Sequence, residues 1–324
     1  MKCISKTKSL LSIICLAALF MTGCASAPVE NAYRVYDSSL AATSHSTGNT
    51  DYFAKDLCVT GTTDFGTEQT DAWVAQGAGA FNLTTNEVLY NQNIYGKLYP
   101  ASTTKILTAL IICKYGNLDD YTTVSAHAAD QAPDSSVAYL AEGDVLSVRD
   151  LLYGLMLCSG NDAAIALAEY YSGSEEAFAE VMNQEAAALG ATNSHFVNPH
   201  GLPDDNHYTT VYDMYLLFSA AIENETFVSI ISSKSYDANY TNKNGDSVTH
   251  NYHNTNGYLK GNIKTPDGFQ VIGGKTGTTF EAGYCLVLLS QNSRGEKIVS
   301  IVFKADCRHN LYLLMNEILS GFAN

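Results

Sequence analysis

The spacing of hydrophobic positions changes twice along the chain, and it predicts three groups of elements. Short apolar or alternating runs indicate strands, first as a hairpin over residues 77–90 and later at 271–275, 283–290 and 297–303. Between them, residues 125–232 carry the longer period of helices, most clearly at 148–157, 163–171, 177–189 and 211–223. A last stripe, from Leu311 to Phe322, recurs every three or four positions and predicts a closing helix on a sheet. The pattern predicts an α+β fold, a mainly antiparallel sheet flanked by helices, with an inserted helical lobe at about 125–250.

One predicted helix, over residues 102–115, is apolar around nearly its whole circumference. Ile106, Leu107, Leu110 and Ile111 point in different directions on the helical wheel. A helix with no polar face has to be surrounded by other elements. We therefore expect this helix to lie at the centre of the domain.

The N-terminal segment has the pattern of a signal peptide. Three lysines precede an apolar run over residues 10–21, which is short for a membrane-spanning helix. The run ends in small residues before Cys24, and this ending resembles the bacterial lipobox. We expect removal of residues 1–23, lipidation of Cys24, and anchoring on the extracytoplasmic face of a bacterial membrane. Secretion after ordinary cleavage is the alternative, although Pro28 would then lie just beyond the cut.

Composition limits the domain organisation and the classes of partner. Residues 24–69 are rich in Ser, Thr, Gly, Asn and Asp without periodicity, which predicts a flexible tether before a folded domain at 70–324. Removing residues 1–23 deletes three lysines and no acidic residue, so 15 basic and 33 acidic residues remain, a net charge of −18. Such a surface repels nucleic acid, so we expect no nucleic-acid partner. Neither the cysteine nor the histidine spacing indicates a metal site, and no cofactor is predicted.

Three short strings stand in a fixed order and can assemble an activated serine. The first is Ser102-Thr103-Thr104-Lys105. Its hydroxyl and amine stand at positions i and i+3 of a predicted helix, with Cβ atoms about 5–6 Å apart. A serine attacks only when a base accepts its proton, and a lysine can be that base only if burial and a neighbouring cation keep it neutral. Lys275, in the third string, can supply that positive charge.

The second string, Ser159-Gly160-Asn161, lies in a tight turn between two predicted helices. Such a composition is usual for turns, so the string alone carries little weight. In combination with the first string, it predicts that Ser159 relays a proton between Lys105 and a departing amine. Asn161 is then expected to bind the substrate backbone through its side-chain amide.

The third string, Lys275-Thr276-Gly277-Thr278, follows two glycines on a predicted strand. A lysine with two hydroxyls at a strand edge suits a terminal carboxylate. Gly277 removes a side chain where the backbone of a substrate has to approach closely. We therefore predict that these four residues form the substrate-binding strand.

From Ala72 onward the chain resembles the serine-type D-alanyl-D-alanine carboxypeptidases, the low-molecular-mass penicillin-binding proteins. The resemblance rests on the three strings and their surroundings: YPASTTKILTAL, CSGNDAAIALAEY, FVNPHGL and GGKTGTT. It implies a β-lactamase/transpeptidase-like fold and removal of the last D-Ala from peptidoglycan stem peptides ending in D-Ala-D-Ala, through an acyl-enzyme on Ser102. It also implies reaction with β-lactam antibiotics and an oxyanion hole formed by the backbone N–H groups of Ser102 and Thr278.

Two other functions remain open at the level of sequence. A β-lactamase shares the serine, the lysine and the Lys-Thr-Gly string. Gly160, however, stands where class A enzymes have Asp, and no Glu-x-x-x-Asn string occurs between Asn161 and Lys275. A non-catalytic sensor of β-lactams or of the cell wall would acylate and remain acylated. Sequence does not separate it from an enzyme, because deacylation depends on the placement of a water molecule.

Overall fold

The computed structural model describes residues 56–323, so the predicted signal peptide and Cys24 lie outside the described residues. The strands are β1 (Gly77–Asn82), β2 (Glu87–Gln92), β3 (Tyr121–Thr123), β4 (Val145–Ser147), β5 (Ser235–Thr241), β6 (Ser247–His253), β7 (Phe269–Thr279), β8 (Gly283–Asn292) and β9 (Lys297–Ala305). The helices are α1 (Lys105–Tyr115), α2 (Ala126–Ala129), α3 (Val148–Leu157), α4 (Asn161–Ser172), α5 (Glu175–Ala188), α6 (Val211–Ala221), α7 (Glu225–Ser232) and α8 (Arg308–Phe322). Together they form the predicted α+β fold.

A five-stranded antiparallel sheet in the order β2-β1-β9-β8-β7 separates two apolar cores. One core lies between the sheet and α8, where Leu314 and Ile318 pack against β8 and β9, and this confirms the predicted closing helix. The larger core lies between the opposite face and the helices of the lobe. Strands β8 and β9 are buried along nearly their whole length because both faces are covered. The predicted hairpin and the three later strands are confirmed.

Helix α1 lies at the centre of the helical lobe, as its uniformly apolar pattern predicts. Every residue from Lys105 to Ile112 is buried, and α1 contacts α3, α4, α5, α6 and α7. The surrounding helices begin at capping side chains: Ser147, Ser174 and Thr210 each accept a backbone N–H from the following turn. Within residues 56–323, no single helix is long and apolar enough to span a membrane, and α6 with α7 meets that criterion only as a pair bent by 108°.

The interpretation of residues 125–250 as a helical lobe is wrong for part of that range. The range contains strands of a second antiparallel sheet, in the order β3-β4-β5-β6, whose hairpin β5–β6 spans Ser235–Thr241 and Ser247–His253. Most side chains of this hairpin are exposed, with Ala238 and Tyr252 the buried ones. The sequence of this hairpin therefore has no apolar pattern that would predict its strands. The Asn244-Gly245 pair at its turn was the available signal, since Gly245 adopts the left-handed conformation (φ 87°).

The predicted tether is wrong for residues 56–69, which pack against the domain. Phe65 pairs with Asn91 of the edge strand β2, and Cys58 is fully buried. The backbone N–H of Cys58 donates to the Tyr215 hydroxyl at 2.9 Å, and the Tyr95 hydroxyl donates to the Thr60 carbonyl at 2.8 Å. Isolated contacts from distant residues hold this segment, so it shows no periodic pattern. It covers the exposed edge of the five-stranded sheet.

Candidate active site

Ser102 lies in a short 3-10 turn, Ala101–Thr104, that leads directly into α1. The backbone N–H and the hydroxyl of Thr103 both donate to the Pro100 carbonyl, at 3.2 and 2.7 Å, and this fixes the turn. Ala101 is left-handed (φ 47°), a conformation that costs about 1–3 kcal/mol for a residue with a Cβ and is common at functional sites. The serine therefore precedes the α-helix in a strained turn, where the sequence predicts it within the helix.

The side chain of Lys105 is fully buried and makes three hydrogen bonds through its Nζ atom. Nζ lies 3.0 Å from Ser102 Oγ, 2.8 Å from Asn161 Oδ1 and 2.8 Å from the backbone oxygen of His200. A neutral amine has two N–H bonds and one lone pair. When the two acceptors, Asn161 Oδ1 and the His200 carbonyl, take the N–H bonds, the lone pair is directed at the Ser102 hydroxyl. This is the geometry that a general base requires.

The surroundings of Lys105 favour its neutral form. Burial lowers the pKa of the Lys105 ammonium well below its usual range, and the positive charge of Lys275 lowers it further, while Asp162 acts in the opposite direction. The sequence-based expectation of a second cation beside Lys105 agrees with this arrangement. Asp162 is itself used to hold a loop, since its carboxylate accepts the backbone N–H groups of Ala138 and Leu140.

Ser159 lies in the turn between α3 and α4, and Asn161 is the first residue of α4. Asn161 is buried, and its carbonyl oxygen is occupied by Lys105, so only its amide nitrogen remains for a substrate. Ser159 has a left-handed backbone (φ 62°), and its Oγ accepts a hydrogen bond from Lys275 Nζ at 2.8 Å. Among the described residues, no hydrogen bond joins Ser159 to Lys105. The predicted relay therefore needs Lys275 as the neighbour of Ser159.

Lys275 extends from β7 into the interior, with 1% of its surface exposed. Besides Ser159, its ammonium contacts the backbone oxygen of Thr276 at 2.9 Å. Burial lowers the pKa of Lys275 to about 7. Two lysines thus lie behind Ser102 and Ser159, and the low dielectric around them makes each sensitive to the charge of the other.

Strand β7 passes directly beside the nucleophile turn, and Gly277 makes this approach possible. A Cβ atom on Gly277 would lie 3.0 Å from the Ser102 backbone nitrogen and 3.0 Å from the Pro100 oxygen. The strand therefore brings the backbone at Thr278 to the same edge of the site as the N–H of Ser102. This placement agrees with an oxyanion hole formed by those two N–H groups.

The residues of the three strings open onto a cleft of about 220 Å³. Ser102, Ser159, Thr276, Gly277 and Thr278 line it, whereas Lys105, Asn161 and Lys275 lie behind its wall. Thr276 Oγ1 is 2.8 Å from Thr255 Oγ1, so these two hydroxyls contact each other at one side of the cleft. No Asp or Glu is among the lining residues of this cleft.

Several cleft residues have no motif that predicts them. Arg308 lines the cleft from the first turn of α8, and Ser136, Tyr284 and Tyr312 complete the walls. Arg308 is exposed and has no carboxylate partner within residues 56–323. The sequence showed α8 only as a closing helix with an apolar stripe. Its N-terminus reaches the cleft through tertiary packing, which no local pattern reveals.

Comparison with known proteins agrees with this geometry. The sequence model of the family described as D-alanyl-D-alanine carboxypeptidase matches residues 63–307. D-alanyl-D-alanine carboxypeptidase DacF of Bacillus subtilis is 36% identical over 236 residues, which cover 71% of this chain and 57% of that protein. The D-alanyl-D-alanine carboxypeptidase of a Streptomyces species is 37% identical over 236 residues, covering 69% of this chain and 78% of that protein.

A solved structure also matches this chain in fold and in sequence. The Streptomyces K15 DD-transpeptidase superposes with a TM-score of 0.70 at 34% identity, covering 76% of this chain and 96% of that one. The chain spans little more than half of the length of DacF, 57%, and more than three quarters of the Streptomyces carboxypeptidase, 78%. On the match of residues 63–307 and on these identities, the chain belongs to the D-alanyl-D-alanine carboxypeptidase family of peptidases.

Proposed function

We propose that this protein is a serine D,D-carboxypeptidase that removes the terminal D-Ala from peptidoglycan stem peptides. The observation that carries the proposal is the contact of 3.0 Å between Ser102 Oγ and Lys105 Nζ, at the wall of a cleft with the size and polarity for a peptide end. Burial and Lys275 keep this lysine in the form that accepts a proton. The names of the family and of its relatives support the choice of substrate.

In the proposed acylation, Lys105 takes the proton of Ser102 as Oγ attacks the carbonyl carbon of the penultimate D-Ala. The negative charge that develops on the carbonyl oxygen is stabilised by the backbone N–H groups of Ser102 and Thr278. The carbon–nitrogen bond then breaks, and the released D-Ala carries away one proton. The proton that Lys105 took from Ser102 then passes to Lys275, which has given one up, so that Lys105 is neutral again. Lys105 accepts a proton from the water that attacks the ester and returns it to Ser102 Oγ as the ester bond breaks.

The proton of the leaving amine comes from Ser159 in this scheme. Because Ser159 Oγ accepts from Lys275 Nζ, its own hydrogen is free to point into the cleft. Donation to the amine leaves an alkoxide, which takes a proton from Lys275. A Lys275 pKa of about 7 makes that transfer easier than it is for an ordinary lysine.

The free carboxylate of the substrate is proposed to bind to the Thr276 hydroxyl and to Arg308, which line the same cleft. The Thr276 hydroxyl can donate one hydrogen bond and the planar guanidinium of Arg308 can donate two at once. The Thr278 hydroxyl, by contrast, donates to the Gly277 carbonyl at 2.8 Å. Arg308 is the cation among the described residues that line the cleft, and Lys275 adds its charge from behind the wall. This arrangement selects for a C-terminal residue.

A β-lactam antibiotic would also acylate Ser102. The lifetime of that acyl-enzyme separates the carboxypeptidase from a β-lactamase and from a sensor. A class A β-lactamase needs a carboxylate to activate the deacylating water, and among residues 56–323 no carboxylate lines this cleft. Slow hydrolysis of the drug together with rapid release of D-Ala therefore supports the carboxypeptidase. A sensor would react with the drug and release no D-Ala.

Fluorescent penicillin is expected to label Ser102, and Ser102→Ala is expected to abolish the label, because the Ser102 hydroxyl lies 3.0 Å from Lys105, the proposed base. The adduct is located by mass spectrometry of tryptic peptides, and D-Ala release from a D-Ala-D-Ala peptide is measured on the same preparation. Ser136, which also lines the cleft, provides the control variant Ser136→Ala. An adduct on any other residue contradicts the assignment of the nucleophile.

We also propose that residues 1–23 are a cleaved signal peptide and that a lipid on Cys24 holds the protein at the extracytoplasmic face of the membrane. The small residues before Cys24 support this, and so does the location of the substrate, since peptidoglycan is assembled outside the membrane. A diacylated cysteine supplies the two hydrophobic chains that firm attachment requires.

Cys24→Ser is expected to move the protein from the membrane fraction to the soluble fraction, because the lipid is attached through the thiol. The measurement is fractionation of cells that express each form, with penicillin labelling to show that the released protein is folded. Cys58→Ser is a suitable comparison, since Cys58 is buried in the domain. Unchanged membrane binding of the Cys24 variant would refute the lipoprotein assignment.

A further inference from the structure

We propose that Glu175 is a positioning residue for the general base, acting through the imidazole of His200. The proposal rests on the function proposed above, in which Lys105 accepts the proton of Ser102. Glu175 is the first residue of α5 and touches neither Lys105 nor the cleft. Its carboxylate instead fixes the loop residue whose carbonyl holds the lysine.

Both ring nitrogens of His200 are used, and the contacts define a single tautomer. Nδ1 accepts the backbone N–H of Leu202 at 3.1 Å, so the hydrogen of the neutral ring is on Nε2. Nε2 lies 3.2 Å from Glu175 Oε2, to which it donates. Burial lowers the pKa of His200, although the Glu175 carboxylate opposes this, and the neutral ring can therefore accept at Nδ1 and donate at Nε2 at once.

Glu175 is suited to hold this ring because its own carboxylate is fixed on both sides. Oε1 lies 2.8 Å from His127 Nε2, whose side chain is 65% exposed, and Oε2 faces the buried His200. Burial would raise the pKa of Glu175, but the hydrogen bonds from His200 and His127 outweigh it and lower the pKa. The N-terminus of α5 favours the ionised carboxylate as well.

The fixed ring matters because the His200 carbonyl is one of the two acceptors that orient Lys105. Its oxygen lies 2.8 Å from Nζ, and the other acceptor is Asn161 Oδ1. If the carbonyl moves, one N–H of the neutral amine loses its partner and the lone pair turns away from Ser102. The next residue, Gly201, is left-handed (φ 90°), and a Cβ there would lie 1.9 Å from the Ala101 oxygen, so the loop sits directly against the nucleophile turn.

The other contacts between this loop and the nucleophile region hold the loop but not that carbonyl. Thr108 donates to the Pro199 carbonyl at 2.7 Å, and His207 donates through Nε2 to the Thr104 hydroxyl at 2.9 Å. These bonds remain when Glu175 is changed. The effect of Glu175 is therefore expected on the orientation of Lys105, with the fold retained.

The role of Glu175 is to provide hydrogen bonds, since the charges that act on Lys105 are those of Lys275 and Asp162. Glu175→Ala is expected to lower the first-order rate constant of Ser102 acylation by about tenfold to a hundredfold, with the dissociation constant of the β-lactam unchanged. Glu175→Gln is expected to stay within about threefold of the native protein, because its amide can accept from His200 and donate to His127. Equal losses in the two variants would overturn the proposal.

A second variant tests the pathway through the ring. In His200→Asn, the side-chain oxygen can replace Nδ1 as acceptor of the Leu202 N–H, but nothing reaches Glu175. This variant is expected to lose as much as Glu175→Ala, and the double variant is expected to lose no more than either alone. Additive losses would show that the two side chains act independently and would contradict the proposed link.

Glu185→Ala is the matched control, because Glu185 is a second carboxylate of α5 that is bonded to α1. It accepts from Lys114 and Tyr115 at 2.8 and 2.9 Å, at the end of α1 remote from Ser102. Stopped-flow acylation with fluorescent penicillin, normalised to the fraction of molecules finally labelled, removes any effect of unfolded protein. The control is expected to keep the native rate constant, and a loss equal to that of Glu175→Ala would overturn the proposal.

The proposed function and the positioning role fail in different ways in this experiment. If the native protein acylates at Ser102 and Glu175→Ala acylates equally fast, the positioning role is wrong and the proposed function stands. If the native protein takes no label at Ser102, both proposals are wrong, because Ser102 is then not a nucleophile that Lys105 activates.

Discussion

Lys105→Arg is expected to lower the rate constant for acylation of Ser102 by about 10²- to 10⁴-fold, the usual contribution of a general base. Arginine supplies donors for Asn161 and His200, but it does not lose a proton at any pH used for proteins and so cannot replace the neutral amine of Lys105. The loss therefore measures proton acceptance rather than electrostatic attraction. The measurement is the acylation rate with a β-lactam, normalised to the molecules that can be labelled.

The pH dependence of the native protein should report the same group. Lys105 has to be neutral to accept a proton, so the acylation rate should rise as the pH passes the lowered pKa of this lysine. Lys105→Arg should show no such rise. Lys114→Arg is the control, since Lys114 is on the same helix, is largely exposed and pairs with Glu185. A Lys105→Arg variant as active as this control would exclude Lys105 as the base.

The order of the motifs predicted the centre of the site because each string is local and lies at the end of a regular element. Ser102 and Lys105 are one turn apart, so no long-range information is needed to bring them together. The pairing of Lys275 with Ser159, by contrast, depends on how β7 lies against the turn between α3 and α4. The sequence predicted both residues for the site, and in the structure the Ser159 hydroxyl is bonded to Lys275 and not to Lys105.

The residues that sequence reasoning missed reach the site through tertiary structure. Arg308 begins a helix whose pattern reflects only packing, and Glu175 begins another whose cap is ordinary. His200 is part of the FVNPHGL string, and its side chain holds a loop, but it is its backbone carbonyl that holds Lys105. A backbone oxygen has no sequence signature, since every residue has one. The same reason explains residues 56–69, which distant side chains bind one by one.

Lys275→Ala is expected to have two separable effects, because Lys275 is proposed to attract the substrate carboxylate and to keep Lys105 neutral. Loss of a buried charge opposite the carboxylate should cost about 2–5 kcal/mol in kcat/KM on a peptide that ends in D-Ala-D-Ala. On the same peptide with an amidated terminus, this part of the loss should be absent. Equal losses on the two peptides would show that Lys275 does not bind the carboxylate.

The second effect appears in the pH profile, where its direction follows from the charge that is removed. Without the positive charge of Lys275 the pKa of Lys105 rises, so more of the base is protonated at a given pH and the acid limb of kcat/KM moves to higher pH. Arg308→Ala separates the two duties. It removes a cation from the carboxylate side of the cleft, but Arg308 is not among the charges that act on Lys105. Like Lys275→Ala, this variant should therefore lose more kcat/KM on the peptide with a free carboxylate than on the amidated peptide. The acid limb of its pH profile should stay at the native pH. An acid limb that stays at the native pH in Lys275→Ala as well would show that burial alone keeps Lys105 neutral.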